Sequence, residues 1–240
     1  MVRRGVVTGV LVSLSLLLVW DGSAAASAAR PEAFAEKVAL PAVGEALAPR
    51  IAVRARPISK APVRAVMKAF RFDYRPTVFF AIDRRETGQG EWLKVRIPGR
   101  PNGRTGWVRG SRIRLLRSAG PFRIVIDRSQ RRLRLYRHKR MVMKTKVAVG
   151  TPDAPTPLGH FYLTAGFVPG DDFLGPWAFE TSAYAAITDW PRGGIVGLHG
   201  TSETWSVGLR ASHGCLRVYN KVILALKKRV RPGTPLRIRA

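Results

Sequence analysis

Cys215 is the only cysteine in 240 residues. It sits in the run Ala211-Ser212-His213-Gly214-Cys215-Leu216-Arg217. A second histidine, His199, lies upstream in Gly197-Leu198-His199-Gly200-Thr201. A thiol attacks a carbonyl as its thiolate. With a free pKa near ~8.5, only a few per cent is ionised at pH 7. A neighbouring imidazole can take the proton and, as imidazolium, hold the thiolate. In an extended strand, positions i and i+2 share a face, which puts His213 beside Cys215, whereas His199 would arrive from a different strand end. On spacing alone either histidine can serve as base. Gly214 permits a tight turn just before the thiol and can aim N–H groups at a developing oxyanion. Ser212 is a minor nucleophile candidate beside a thiol. Two blander readings compete with catalysis. A lone cysteine is commonly a small buried apolar side chain. Histidine–cysteine sets also bind zinc, but His138 and His160 lack metal spacing, so neither a metal nor another cofactor is expected.

The compartment sharpens the case for chemistry. Arg3 and Arg4 precede an uncharged run from Gly5 to Trp20, and Ala26-Ser27-Ala28 forms a small-residue A-x-A site. This is the layout of a secretory signal peptide over residues 1–29, too short in its apolar part for a comfortable bilayer span. A cleaved signal is therefore expected rather than a membrane anchor. An exported free thiol is prone to oxidation or pairing, so its retention points to a chemical role. The formal charge is +27, from 42 Lys and Arg against 15 Asp and Glu. Outside the cytoplasm that charge points to anionic wall polymers and not to nucleic acid.

The elements that must position these residues read as mainly β. Residues 30–49, rich in Ala and Pro, read as a linker. Short strands follow at Ile51–Ala55, Ala65–Phe70, Thr77–Ile82, Glu91–Ile97, Thr105–Val108 and Ile113–Leu116, with Gly- and Pro-rich turns between them. A second set begins at Phe122–Asp127. It continues through Arg132–Arg137, whose alternation faces Leu133 and Leu135 inward, then Met141–Val149 and His160–Thr164. Phe167–Trp190 shows no period and reads as a loop-dominated wall or substrate flap. Asn220 is placed to cap a helix from Lys221 to about Arg229, with Val222, Ile223 and Leu226 buried and Tyr219 stapled to Leu224. Pro235–Ile238 returns as a strand.

Two resemblances follow from these motifs. Glu91-Trp92-Leu93-Lys94-Val95, a turn, and Gly106-Trp107-Val108 resemble bacterial SH3-like domains, over residues 50–117. There Trp92 and Trp107 could line a ligand groove or pack in the core, and large aromatics in small barrels favour the core. Ser212-His213-Gly214-Cys215 behind His199-Gly200-Thr201 resembles the signature of the L,D-transpeptidases with a YkuD-type catalytic domain. Val147-Ala148-Val149-Gly150 and Pro155-Thr156-Pro157-Leu158-Gly159 extend the likeness over residues 121–240. The resemblance implies a small β-barrel followed by a β-rich catalytic domain with one helix near its C-terminus. It implies that Cys215 attacks a peptidoglycan tetrapeptide stem, releases D-Ala as a thioester forms, and passes the acyl group to an amine in a 3→3 cross-link. His199 would be the base, His213 a supporting group, and backbone around His213, Gly214 and Cys215 the oxyanion hole. Ser212 would be a supporting partner, and Arg217, Gly200 and Thr201 would contact substrate. Family members are typically acylated by carbapenem-type β-lactams. Water or a protein amine as acceptor would instead give a carboxypeptidase or a wall-protein attachment enzyme. A non-catalytic wall-binding protein would need neither the thiol nor the histidines.

Overall fold

The computed structural model describes residues 37–186 and 191–240; the expected signal peptide lies outside them. Seven short strands form a first, wholly antiparallel sheet: β1 (Ala42–Ala46), β2 (Arg50–Arg54), β3 (Val63–Lys68), β4 (Phe79–Thr87), β5 (Gly90–Arg96), β6 (Thr105–Arg109) and β7 (Ile113–Ser118). Their spatial order is β3-β2-β6-β5-β4-β1-β7. Alternation drives the pattern: Ile51 and Val53 of β2, Leu93 and Val95 of β5, and Val108 of β6 share one core with Phe79 and Ile113.

One expectation changes here and another is met. The stretch read as a linker contains β1, which pairs with both β4 and β7. Its Ala-Val-Gly-Glu-Ala sequence carries little strand propensity, and its register is supplied by those two partners. Trp92 and Trp107 are both buried, as the favoured core reading has it, although Trp92 also borders a cavity with Arg50, Arg54, Ser59 and Arg112. Both tryptophans lie on the face opposite Leu93 and Val95, under basic side chains. Arg109 lies 5.3 Å from the Trp92 ring, and Arg85 and Lys94 lie over Trp107 at 5.2 and 5.8 Å. Trp92–Arg109 and Lys94–Trp107 are direct cross-strand pairs, so β5–β6 registration itself builds these cation–π contacts.

The second half supplies β8 (Phe122–Asp127), β9 (Arg132–Arg137), β10 (Arg140–Lys146), β11 (Val149–Gly150), β12 (Gly159–Phe167), β13 (Ala178–Tyr184), β14 (Ile195–His199), β15 (Arg210–Ser212), β16 (Leu216–Arg217), helix α1 (Asn220–Lys227) and β17 (Pro235–Arg239). Eight of these strands form a mixed sheet, ordered β10-β9-β8-β17-β12-β13-β14-β16, while β11 and β15 pair in parallel beside it. Leu133 and Leu135 face the core as their alternation predicts, and α1 buries Ile223 and Leu226 against the same cluster.

The region expected to be loop-dominated instead contains β13, a central strand with six of its seven residues buried. It carries Glu180, Thr181 and Ser182, and burial on both faces removes the alternation that would have revealed it. Asn220 does not cap α1. Its Oδ1 accepts the Thr201 N–H at 2.8 Å, so it ties the helix start to the loop after β14.

The two sheets meet through Tyr162 of β12. Its ring stacks on Phe80 with centroids 4.8 Å apart, and its hydroxyl donates to Val78 O at 3.0 Å. The Pro98–Gly103 loop also crosses over. Asn102 Nδ2 donates to Tyr184 O at 2.7 Å, and its Oδ1 accepts the Tyr184 N–H at 3.0 Å. Arg100 Nε donates to Ala185 O at 2.9 Å.

Candidate active site

Parallel pairing of β14 with β16 sets His199 opposite Arg217 and Leu198 opposite Leu216. That register carries the turn at Cys215 to the end of β14. The Gly197 N–H donates to Cys215 Sγ at 3.3 Å. A Cβ placed on Gly197 would lie 3.4 Å from His199 Cδ2 and 3.7 Å from Cys215 Sγ, so the imidazole edge and the sulfur converge on this glycine. The parallel pairing thus brings the His199 ring edge toward the thiol from across the sheet. His213 is exposed.

The protonation state of His199 follows from its partner. Gly200 O, a carbonyl that can only accept, lies against Nδ1. Nδ1 therefore carries the proton, and Nε2, on the same edge as Cδ2, keeps its lone pair. Burial, opposed by the Gly200 hydrogen bond and reinforced by the positive charge of Arg217, lowers the imidazole pKa to about 4. Burial also pushes the Cys215 thiol up, while the Gly197 N–H and Arg217 act in the opposite direction. The resting pair is thus neutral thiol with neutral imidazole. This differs from the thiolate–imidazolium pair that sequence spacing suggests.

The loop holding Cys215 is braced from within. Ser212 Oγ donates to Cys215 O at 2.6 Å and accepts the Gly214 N–H at 3.2 Å. The Ser212 hydroxyl is engaged as a brace, and the Gly214 amide is already spent on it. Gly214 has φ +113°, and a side chain there would press on Ala185 Cβ at 2.8 Å. Thr156 completes the loop from behind. Fully buried, its Oγ1 donates to Gly214 O at 2.8 Å and accepts the Gly150 N–H at 2.9 Å. Gly150 must be glycine, since a Cβ would fall 2.0 Å from Ala154 O. Thr156 stands in the Pro155-Thr156-Pro157 motif, which marks the loop without revealing this role.

Arg217, Gly200 and Thr201, expected to contact substrate, are held by contacts within the chain. Arg217 is buried, ion-paired to Glu203, and lies 4.7 Å from the centre of the Phe173 ring. Gly200 supplies its carbonyl to His199. Thr201 is fully buried, and its hydroxyl accepts the Glu203 N–H at 3.0 Å. Together they fix His199 and the following turn. The cleft that reaches the sulfur is lined by Phe167, Leu174, Phe179, Glu180, Ile195 and Gly197 together with His199 and Cys215, and has a volume of about 210 Å³. Glu203, Phe173 and Glu180 lie outside any motif, and no local signal marks them.

Residues 121–238 match the family model described as the L,D-transpeptidase catalytic domain, YkuD. They are a YkuD-type L,D-transpeptidase catalytic domain. The protein named for this family, YkuD, in Bacillus licheniformis is 32% identical over 119 residues, covering 49% of this chain and 66% of the relative. Its Bacillus subtilis namesake is 29% identical over the same span and coverage. The chain therefore spans about two thirds of the length of these curated relatives. A solved L,D-transpeptidase from Mycobacterium smegmatis is 16% identical with a TM-score of 0.42, covering 62% of this chain and 90% of that one. The family match begins just before β8, so the seven-stranded sheet is an N-terminal β-rich addition to the L,D-transpeptidase domain.

Proposed function

We propose that this protein is an exported peptidoglycan L,D-transpeptidase in which Cys215 is the nucleophile and His199 the base. The observation that carries the reading is the convergence of Cys215 Sγ, the Gly197 N–H and the Nε2 edge of a neutral His199 in the lining of one cleft. In the first half-reaction His199 Nε2 takes the thiol proton as Sγ bonds to the carbonyl carbon of the stem's third residue. The bond from that carbon to the D-Ala nitrogen breaks, and His199 returns the proton to the departing amine. In the second half-reaction the side-chain amine of another stem gives a proton to His199 and attacks the thioester carbon. The thiolate leaves and is reprotonated. The thioester preserves acyl reactivity, so no nucleotide is needed outside the cell. Because the Gly214 amide is bonded to Ser212, we assign the oxyanion to the Cys215 amide. His213 flanks the approach from the exposed side. Arg217 acts through Glu203 and Phe173 on the architecture of the site. We assign residues 1–29 to the signal peptide and the N-terminal sheet to an SH3-like domain. Among the described residues no helix is long and apolar enough to cross a membrane.

The test is intact-mass measurement after incubation with a carbapenem and, separately, with tetrapeptide stems. A mass gain on the wild-type chain, D-Ala release and 3→3 dimers are expected, and Cys215→Ala should abolish all three. Cross-linking by that variant sinks the proposal. Shortened monomers alone would assign water as the acceptor.

A further inference from the structure

The segment between β3 and β4 belongs to the N-terminal sheet but is fastened to the wall of the catalytic cleft. It folds back on itself. Phe70 bridges Pro76, the Arg71 N–H donates to Arg75 O at 2.9 Å, and Thr77 N–H donates to Ala69 O at 2.8 Å. Side chains alternate along it. Arg71 and Asp73 turn inward: Arg71 is ion-paired with both Asp73 and Glu180, and Glu180 lines the cleft. Arg75 lies 5.6 Å from the Phe167 ring, another cleft residue. The outward set is Phe70, Phe72 and Tyr74, exposed by 59%, 62% and 89%. Scattered exposed apolar residues are ordinary, but three aromatic rings within five residues of a solvent-facing loop form a patch.

We propose that this loop is a docking platform for the glycan strand of peptidoglycan, taking sugar rings on the faces of Phe70, Phe72 and Tyr74. The inference rests on the function proposed above and extends the same site. Continuity selects the occupant. The loop's anchors, Glu180 and Phe167, line the cleft, and Ile195 lines both that cleft and the neighbouring cavity bordered by Phe70 and Phe72, so a molecule whose carbonyl reaches Cys215 and that runs on past Ile195 meets the aromatics. A stem peptide is short and is covalently borne on glycan, and flat aromatic faces flanked by Arg suit neutral rings with polar edges. The hydrogen-bonded loop is already ordered, so docking costs little conformational entropy.

The first experiment measures retention on bare glycan strands, stripped of stems by an amidase and so bearing lactyl carboxylates, at an ionic strength high enough to screen charge attraction, using full-length Cys215→Ala protein. Adding Phe70→Ser, Phe72→Ser and Tyr74→Ser together should cut retention about tenfold. The second compares kcat/KM for a stem on a glycan fragment with that for the free tetrapeptide, using the wild-type thiol. The wild type should favour the glycan-borne stem. The triple variant should lose that preference while keeping free-tetrapeptide turnover and carbapenem acylation. Equal retention of both proteins, equal loss on both substrates, or a wild type that dimerises through this loop would overturn the proposal. So would a loss of the same size on anionic vesicles with none on glycan. Failure of wild-type carbapenem acylation would instead overturn the transpeptidase reading, because glycan retention does not require the thiol.

Discussion

Chemistry at the residue scale turns on His199 being neutral. The unfolded imidazole protonates near 6.5, but the folded one does so only at about 4. Between those values the unfolded chain binds a proton that the folded chain does not, so stability rises with pH across that window and is lost as pH falls through it. Unfolding free energy measured from pH 4 to 7 should show this slope, and His199→Gln should reduce it. Part will remain, because His160 is lowered in the same direction by burial and by Arg96 and Arg237. A raised thiol facing a neutral base also predicts the pH profile of alkylation. The iodoacetamide rate at Cys215 should climb through and beyond pH 8.5, with no plateau near neutrality. A plateau below pH 7 would show a resting thiolate. His199→Ala should lower turnover by about 10²–10⁴-fold while the fold persists. A thiol kept protonated until substrate arrives is also less open to oxidation, which suits a free cysteine outside the cell.

Legibility varied from element to element. Strand β9 could be read because its outward arginines and inward leucines alternate, and its bounds match the expectation. Strand β13 could not, since both its faces are buried and polar residues sit within it. The histidine–cysteine set was legible as chemistry, whereas the approach of His199 to the Cys215 turn comes from the parallel β14–β16 register, which no local pattern encodes. The Asn220 cap failed because a side chain competent to cap is equally competent to bind the Thr201 amide, and sequence does not rank two local partners. The brace at Thr156 belongs to this scale, because it joins the loop after β11 to the turn before β16. Thr156→Val keeps the volume but leaves the Gly150 N–H and Gly214 O unpaired in the interior. The expected cost is about 1–3 kcal/mol, read by denaturant unfolding, together with slower carbapenem acylation. Thr156→Ser should recover most of both. If Thr156→Val acylates at the wild-type rate, the brace does not position Cys215.

Across the whole molecule, the N-terminal sheet acts as a buttress. Arg100 holds the Ala185 carbonyl, and the Ala185 methyl faces Gly214 beside the thiol. Arg100→Ala should therefore lower both thermal stability and the acylation rate, although the guanidinium lies outside the cleft lining; wild-type acylation in that variant would remove the coupling. Tyr162→Phe keeps the stack on Phe80 but strands Val78 O, at an expected cost of about 1 kcal/mol. Both sheets should still melt in one transition, and two separated calorimetric peaks would show independent units. The +27 charge is borne by both sheets and so favours general attraction to an anionic wall over a single site. Wall retention should fall as ionic strength rises past physiological, where the screening length is already about 8 Å. One further consequence concerns time rather than energy. Strand β17 lies between β8 and β12, pairing in parallel with one and antiparallel with the other. During vectorial synthesis, β8 and β12 emerge more than sixty residues before the strand that joins them. The catalytic sheet therefore remains two unzipped halves until Pro235–Arg239 appears. The proposed Cys215–His199 site is thus assembled only once β17 has appeared, and ending the chain at Thr234 should leave the N-terminal sheet intact but no reactive site.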